Sequence, residues 1–291
     1  KYNQAAIFSG YLVGIEIVLR MTGANVIWEF GKYGVILFMM VGMVSQNIRS
    51  RNAPIFIIIF LLSLLPSIVL LPYNSFNEWR QIISFNLSGP FALFVSIIYF
   101  RGVFFSWQQV MLSLRAVALP ILTLSTILIL RLPTANEIVF SSEANLQFSG
   151  GYGPNQVSSM LGVLILIIGF CKIYNFKFFN NQILDYSVLG VCVVQAFLTF
   201  SRGGIGTAIV SLFLGWLISI KQKETLKKNK YNIIMVIVIF ISLWNLSSDF
   251  TGGLMEARYK STFQLDESGL VSSSSRVEIM LTDLEIFFDN L

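Results

Sequence analysis

The segment Leu198-Thr199-Phe200-Ser201-Arg202-Gly203-Gly204 sets one arginine beside a serine and two glycines inside an apolar stretch running from about 184 to 220. A membrane-spanning helix needs ~20 mostly apolar residues, so that stretch is too long for one span. The polar break predicts a helical hairpin with Arg202 at its tip. Glycines permit a tight turn and close backbone approach. A helix starting at about Gly204 would aim its positive end and its free N–H groups at the same place. A guanidinium is a planar, two-pronged donor that keeps its charge in low dielectric. Together these are the parts of a phosphate or pyrophosphate site. The plainer alternative is a hairpin turn with one arginine reaching the membrane surface.

Other arginines share the predicted side of the membrane: Arg20, Arg80, Arg131, Arg258 and Arg276. For Arg20, Arg80 and Arg131, at span ends, snorkelling accounts for the residue type. Arg115 sits early in a span and reads the same way. Glu16 with Arg20 and Glu29 with Lys32 lie four and three residues apart, spacings that pair charges on one helix face. The chain has no histidine, which removes His-built zinc motifs and Ser-His or Cys-His catalytic pairs. Cys171 and Cys192 have no CxxC partner and lie in or beside apolar runs. Neither a metal site nor a cofactor is expected.

The elements that carry these residues follow from composition. Of 291 residues, 55% are hydrophobic and 12% charged, with a mean hydropathy of +0.73. Soluble domains carry roughly 25% charged residues, so this is a polytopic, all-α integral membrane protein in a lipid bilayer. A net charge of +5 over so apolar a chain is too thin for nucleic-acid binding. About nine apolar runs read as transmembrane helices, near 5–20, 30–46, 54–71, 82–100, 110–131, 157–173, 184–200, 204–220 and 231–247. The loops 47–53, 101–109, 171–183 and 221–230 hold Arg49, Arg51, Arg101, Lys172, Lys177 and five lysines in KQKETLKKNK. With nine spans these fall on one side together with the N-terminus, and basic loops mark the cytoplasm. The long loop 132–156, with Glu137 and Glu143 and no Lys or Arg, falls outside. No initiator Met opens the chain and no closing span follows Asn290-Leu291, so it reads as a piece of a longer protein.

Phe200-Ser201-Arg202-Gly203-Gly204 between two late spans resembles the signature of the O-antigen ligase and polymerase group, membrane proteins that join or extend bacterial surface polysaccharides. Gly150-Gly151-Tyr152-Gly153-Pro154-Asn155-Gln156, one hairpin upstream, resembles the group's Pro-Asn element. Ser275-Arg276-Val277-Glu278, followed by Leu284-Glu285-Ile286-Phe287-Phe288-Asp289-Asn290, resembles the start of its large outer loop. The likeness covers roughly 145–291 and divides the chain into 1–144, N-terminal spans and outer loop; 145–247, the ligase-like core; and 248–291, the start of the large periplasmic loop.

The resemblance implies a metal-independent glycosyltransferase of the bacterial inner membrane, working at its periplasmic face. The donor would be an oligosaccharide on undecaprenyl pyrophosphate, and the acceptor lipid A-core or a second lipid-linked glycan. It gives Arg202 and Arg276 catalytic roles on the pyrophosphate, with Arg258, Ser201, Gly203 and Asn155 binding substrate or shaping the site. The group is also expected to carry a histidine base farther along the outer loop. This chain has none, so it should be inactive alone. A transporter or flippase for a lipid-linked or anionic substrate is the competing reading, and a non-catalytic scaffold of a polysaccharide assembly complex is a third.

Overall fold

The computed structural model describes residues 3–24, 26–27, 29–45, 54–70, 75–133, 144–220, 223–260 and 274–289, without the side chains of 67–70, 220, 223–230, 274–280 and 289. Among the described residues the fold is all-helical. The helices are α1 (Gln4–Met21), α2 (Phe30–Ser45), α3 (Ile55–Leu70), α4 (Phe76–Gly102), α5 (Trp107–Leu130), α6 (Pro154–Ile173), α7 (Gln182–Leu198), α8 (Arg202–Ile220), α9 (Lys223–Phe250), α10 (Leu254–Lys260) and α11 (Ser274–Asp289). Within α1, α4, α5, α6, α8 and α9 lie segments long and apolar enough to cross a membrane, while α2, α3 and α7 are apolar but shorter. The chain is a multi-pass membrane protein, and one of α1–α9 overlaps each of the nine predicted runs, six of them with a segment of membrane-crossing length.

Two boundaries differ from expectation. Helix α4 begins at Phe76, inside the stretch read as the loop 72–81. Ser75 has extended backbone and accepts the Glu78 N–H at 3.3 Å, a helix N-cap with an acidic residue in the first turn. Helix α9 begins at Lys223, so most of the lysine-rich loop is helix. Lys, Glu and Leu are strong helix formers, and they extend the apolar span beyond its membrane length.

The chain divides into two compact units, Lys1–Thr126 and Ile127–Leu291. The division falls inside α5. In unit 1, Ala5, Ala6, Met39, Val95 and Tyr99 form the core where α1, α2 and α4 meet. At the end where α1 stops and α2 starts, both predicted charge pairs form: Glu16 with Arg20 at 2.7 Å, and Glu29 with Lys32. Glu16 also accepts the Gly31 N–H at 3.1 Å, which ties α1 to the first turn of α2. Ser88 of α4 donates to Glu29 at 3.4 Å.

In unit 2, α6 is the central helix and packs on α7, α8 and α9. Its closest neighbour is α8. Gly204 and Gly162 face each other there: a Cβ on Gly204 would fall on the Ser158 carbonyl, and one on Gly162 on the Gly204 carbonyl. Small residues let helices approach backbone to backbone where water gives no driving force.

The Lys172–Asp185 pair corrects another expectation. The sequence places Lys172 in a loop as a charge marking the cytoplasmic side, yet it lies in the last turn of α6, 1% exposed, and pairs with the fully buried Asp185 of α7. Asp185 also accepts the Phe178 and Phe179 N–H groups at 3.0 and 2.9 Å. The Lys172 ammonium lies 5.1 Å from the centre of the Tyr186 ring. A buried charge demands this kind of full compensation, and it closes the α6–α7 corner.

Candidate anion site at the start of helix α8

Helix α7 ends at Leu198, and the next three residues make the turn. The Thr199 hydroxyl donates to the Ala196 carbonyl at 2.8 Å and accepts the Ser201 N–H at 3.2 Å. The Thr199 carbonyl accepts the Asn145 N–H at 2.8 Å. Phe200 takes the left-handed conformation, φ +56°, with its side chain fully buried. A non-glycine residue there costs of order 1–3 kcal/mol, and burial of the ring offsets it. The glycines therefore do not make the turn, contrary to the sequence expectation. Helix α8 begins at Arg202, and Gly203 and Gly204 lie within its first turn. Gly204 serves the α6 contact, while the Cβ position of Gly203 opens onto empty space.

Side chains from α6 and α10 hold this turn. The Ser201 hydroxyl donates to Asn155 Oδ1 at 2.8 Å, and the Ser158 hydroxyl donates to the Ser201 carbonyl at 3.0 Å. Asn155 is placed by Pro154, whose fixed φ suits the first helical position of α6. Arg258 of α10 donates its Nε–H to the Phe200 carbonyl at 2.7 Å, and Arg202 Nη1 donates to the Arg258 carbonyl at 3.2 Å. The two arginines, 56 residues apart, thus meet over one turn.

Helix α10 reaches the turn through Thr251-Gly252-Gly253, where Gly252 and Gly253 have φ +60° and +81° and reverse the chain after α9. Three rings in edge-on contact anchor it: Tyr259 to Trp244 at 5.1 Å, Tyr259 to Phe197 at 6.1 Å, and Phe197 to Trp244 at 5.4 Å. The Tyr259 hydroxyl points to the Ser201 carbonyl at 3.5 Å. On the other side of α10, Glu256 pairs with Lys260 at 2.5 Å and accepts from the Ser248 hydroxyl at 3.2 Å. The Lys260 and Ser248 hydrogen bonds hold its carboxyl below the usual range.

Burial pushes the Tyr259 hydroxyl well above the ordinary tyrosine value, and the nearby charges of Arg202 and Arg258 only partly pull it back. The folded value exceeds the unfolded one, so its contribution to stability is complete below about pH 10 and declines as pH rises above that. Melting temperature should therefore fall more steeply between pH 9 and 11 in the wild type than in Tyr259→Phe, roughly. Parallel curves in detergent would show that Tyr259 is not buried in this way.

On α8, residues 202, 206, 209, 213 and 216 form a single stripe at helical spacing. Below Arg202 the stripe passes Gly206, whose Cβ position is open. It then enters an entirely apolar groove of about 400 Å³ lined by Ile209, Phe213 and Trp216 with Val236, Ile237 and Phe240 of α9. Ile209 is seven residues from Arg202, a rise of about 10 Å. The arrangement offers a cationic head position over a hydrocarbon slot.

Of the predicted site residues, Arg202, Arg258, Ser201 and Asn155 come together directly, and Gly203 lies beside them. Arg276 is in α11, and its side chain lies outside the described residues, as do Glu137 and Glu143. Arg131 donates to the Gly150 carbonyl at 3.3 Å, which ties the end of α5 to the Gly-Gly segment before α6. Ser158, Thr199, Trp244 and Tyr259 were not foreseen. Ser158 stands four residues before Gly162, a small-residue spacing that could have marked the α6 contact face. No protein-family model, curated protein or solved structure matches the chain.

Proposed function

We propose that this chain is the donor-binding part of a metal-independent glycosyltransferase. In this reading it transfers or polymerises a glycan carried on undecaprenyl pyrophosphate at the outer face of a bacterial inner membrane. The observation that carries it is the meeting of Arg202 and Arg258 on the turn that starts α8, on the stripe that leads to the apolar groove. A lipid pyrophosphate has the matching parts, an anionic head on a hydrocarbon chain. The lysine run at the opposite end of α8 and α9 supports the orientation. The three motifs quoted above supply the reaction class by resemblance.

In the reaction, an acceptor hydroxyl attacks the anomeric carbon and the bond from that carbon to the pyrophosphate oxygen breaks. The pyrophosphate leaves with the electron pair, and the hydroxyl proton passes to a base supplied outside the residues described. Arg202 and Arg258 neutralise charge as it develops on the leaving oxygens, a stabilisation aimed at the transition state. Their hydrogen bonds to backbone carbonyls hold the guanidiniums in place before substrate arrives.

Arg202→Lys in the full-length protein keeps the charge but loses the planar fork. It should lower polymer yield about tenfold to a hundredfold. Normal chain length and yield would remove Arg202 from the mechanism. The broader test is glycan display in cells lacking the gene. Single repeat units in place of a ladder indicate a polymerase. Long chains left on the lipid carrier indicate a ligase. Unchanged surface glycan and lipid-linked pools would overturn the transferase reading in favour of a transporter or a scaffold.

A further inference from the structure

A second amphiphile-shaped groove lies in unit 1, at the end where α1 stops and α2 and α4 start. Its mouth, about 820 Å³, is lined by Tyr33, Arg80, Gln81, Phe85 and Asn86. A narrower cleft of about 360 Å³ continues from it between α2, α3 and α4, lined by Ile36, Leu61, Leu65, Leu87 and Phe91. Tyr33 and Ser84 line both, and their hydroxyls are hydrogen-bonded to each other at the junction. The groove is thus polar at the surface and apolar inward.

The chemistry of the mouth is selective. Of the three carboxylates at this end, Glu16 is engaged by Arg20 and the Gly31 N–H and Glu29 by Lys32 and Ser88, while Glu78, in the first turn of α4, does not line the mouth. They do not meet a cationic ammonium head. Arg80 has no acidic partner among the described residues. Gln81 and Asn86 present amides, which both donate and accept and so match hydroxyl groups. Asn86 stands ten residues into α4, within the apolar run 82–100, and offers its amide to the mouth. The mouth is also more than twice the volume of the cleft, which fits a large head on a slim tail.

We propose that this groove seats an anionic phospholipid with a polyhydroxylated head. Arg80 takes the phosphate, Gln81 and Asn86 bond the head hydroxyls, and the α2–α3–α4 cleft takes one hydrocarbon chain. The inference is independent of the reading of the α8 site, which lies in the other unit.

The test is lipid retention by the full chain in detergent, counted by native mass spectrometry with phosphatidylinositol, phosphatidic acid and phosphatidylcholine as probes. Phosphatidylinositol should be retained about tenfold over phosphatidylcholine, the scale of one hydrogen bond to a charged group. Arg80→Gln should abolish that preference, while Arg101→Gln, at the opposite end of α4, should leave it intact. Asn86→Leu should keep the preference over phosphatidylcholine but lose that over phosphatidic acid. Equal retention of phosphatidylinositol and phosphatidylcholine by the wild type, or equal effects of the Arg80 and Arg101 variants, would overturn the site. Equal retention of phosphatidic acid and phosphatidylinositol would overturn the role of the amides. Arg202→Lys should not change any of these ratios, so failure here and failure of the transferase reading are separate results.

Discussion

Asp185→Ala will lower the melting temperature of the detergent-solubilised protein by on the order of 10 °C, the consequence of about 3–5 kcal/mol lost when a buried ion pair is broken from one side. The substitution strands the Lys172 ammonium, 1% exposed, against a tyrosine ring and apolar neighbours. It also leaves the Phe178 and Phe179 N–H groups without the carboxylate they donate to. The paired replacement Lys172→Met with Asp185→Leu removes both charges, so it should recover a large part of the loss. A single variant as stable as the wild type would mean that water reaches Lys172 and that the pair is not a closed corner.

The second large effect separates two adjacent glycines. Gly204→Val places a side chain on the Ser158 carbonyl, and neither helix backbone can yield cheaply. Overpacking of this kind costs typically 1–3 kcal/mol or more. Because the displaced residues carry Arg202 and the Ser201 carbonyl, glycan transfer in the full-length protein should fall at least as far as in Arg202→Lys. Gly203→Ala, one residue earlier, meets nothing and should stabilise α8 by up to about 1 kcal/mol. Equal effects at the two positions in a thermal melt would show that α6 and α8 are not in backbone contact.

Hydropathy is enough to locate the apolar helices, because span length is a one-dimensional property. It says less about partners. The local pairs Glu16–Arg20 and Glu29–Lys32 were legible from spacing alone, whereas Lys172–Asp185 joins two helices thirteen residues apart and looked like a loop charge. The turn was misassigned for a physical reason. Glycine is the usual residue for positive φ, yet here the buried ring of Phe200 stabilises that conformation, and of the two glycines only Gly204 is needed, for packing against α6. Arg258 could be singled out as an outer arginine, but its approach to the Phe200 carbonyl depends on the fold-back at Gly252-Gly253, which no spacing encodes. Tyr259 and Trp244 are aromatic residues in an aromatic-rich chain, and composition cannot separate an anchor from a lipid-facing ring.

The contact between Gly204 and Ser158 is more than an absence of bulk. Where another residue would carry Cβ, glycine carries a hydrogen, and that hydrogen faces the Ser158–Ser159 peptide group. The contact is main chain against main chain, which only a residue without a Cβ permits. It is made by main chain alone, so no side-chain exchange elsewhere can rebuild it. It also sets the height of the first turn of α8 against α6 to within a fraction of a helical step. The level at which Arg202 stands against α6 is therefore fixed by main-chain contact rather than by the charge it presents.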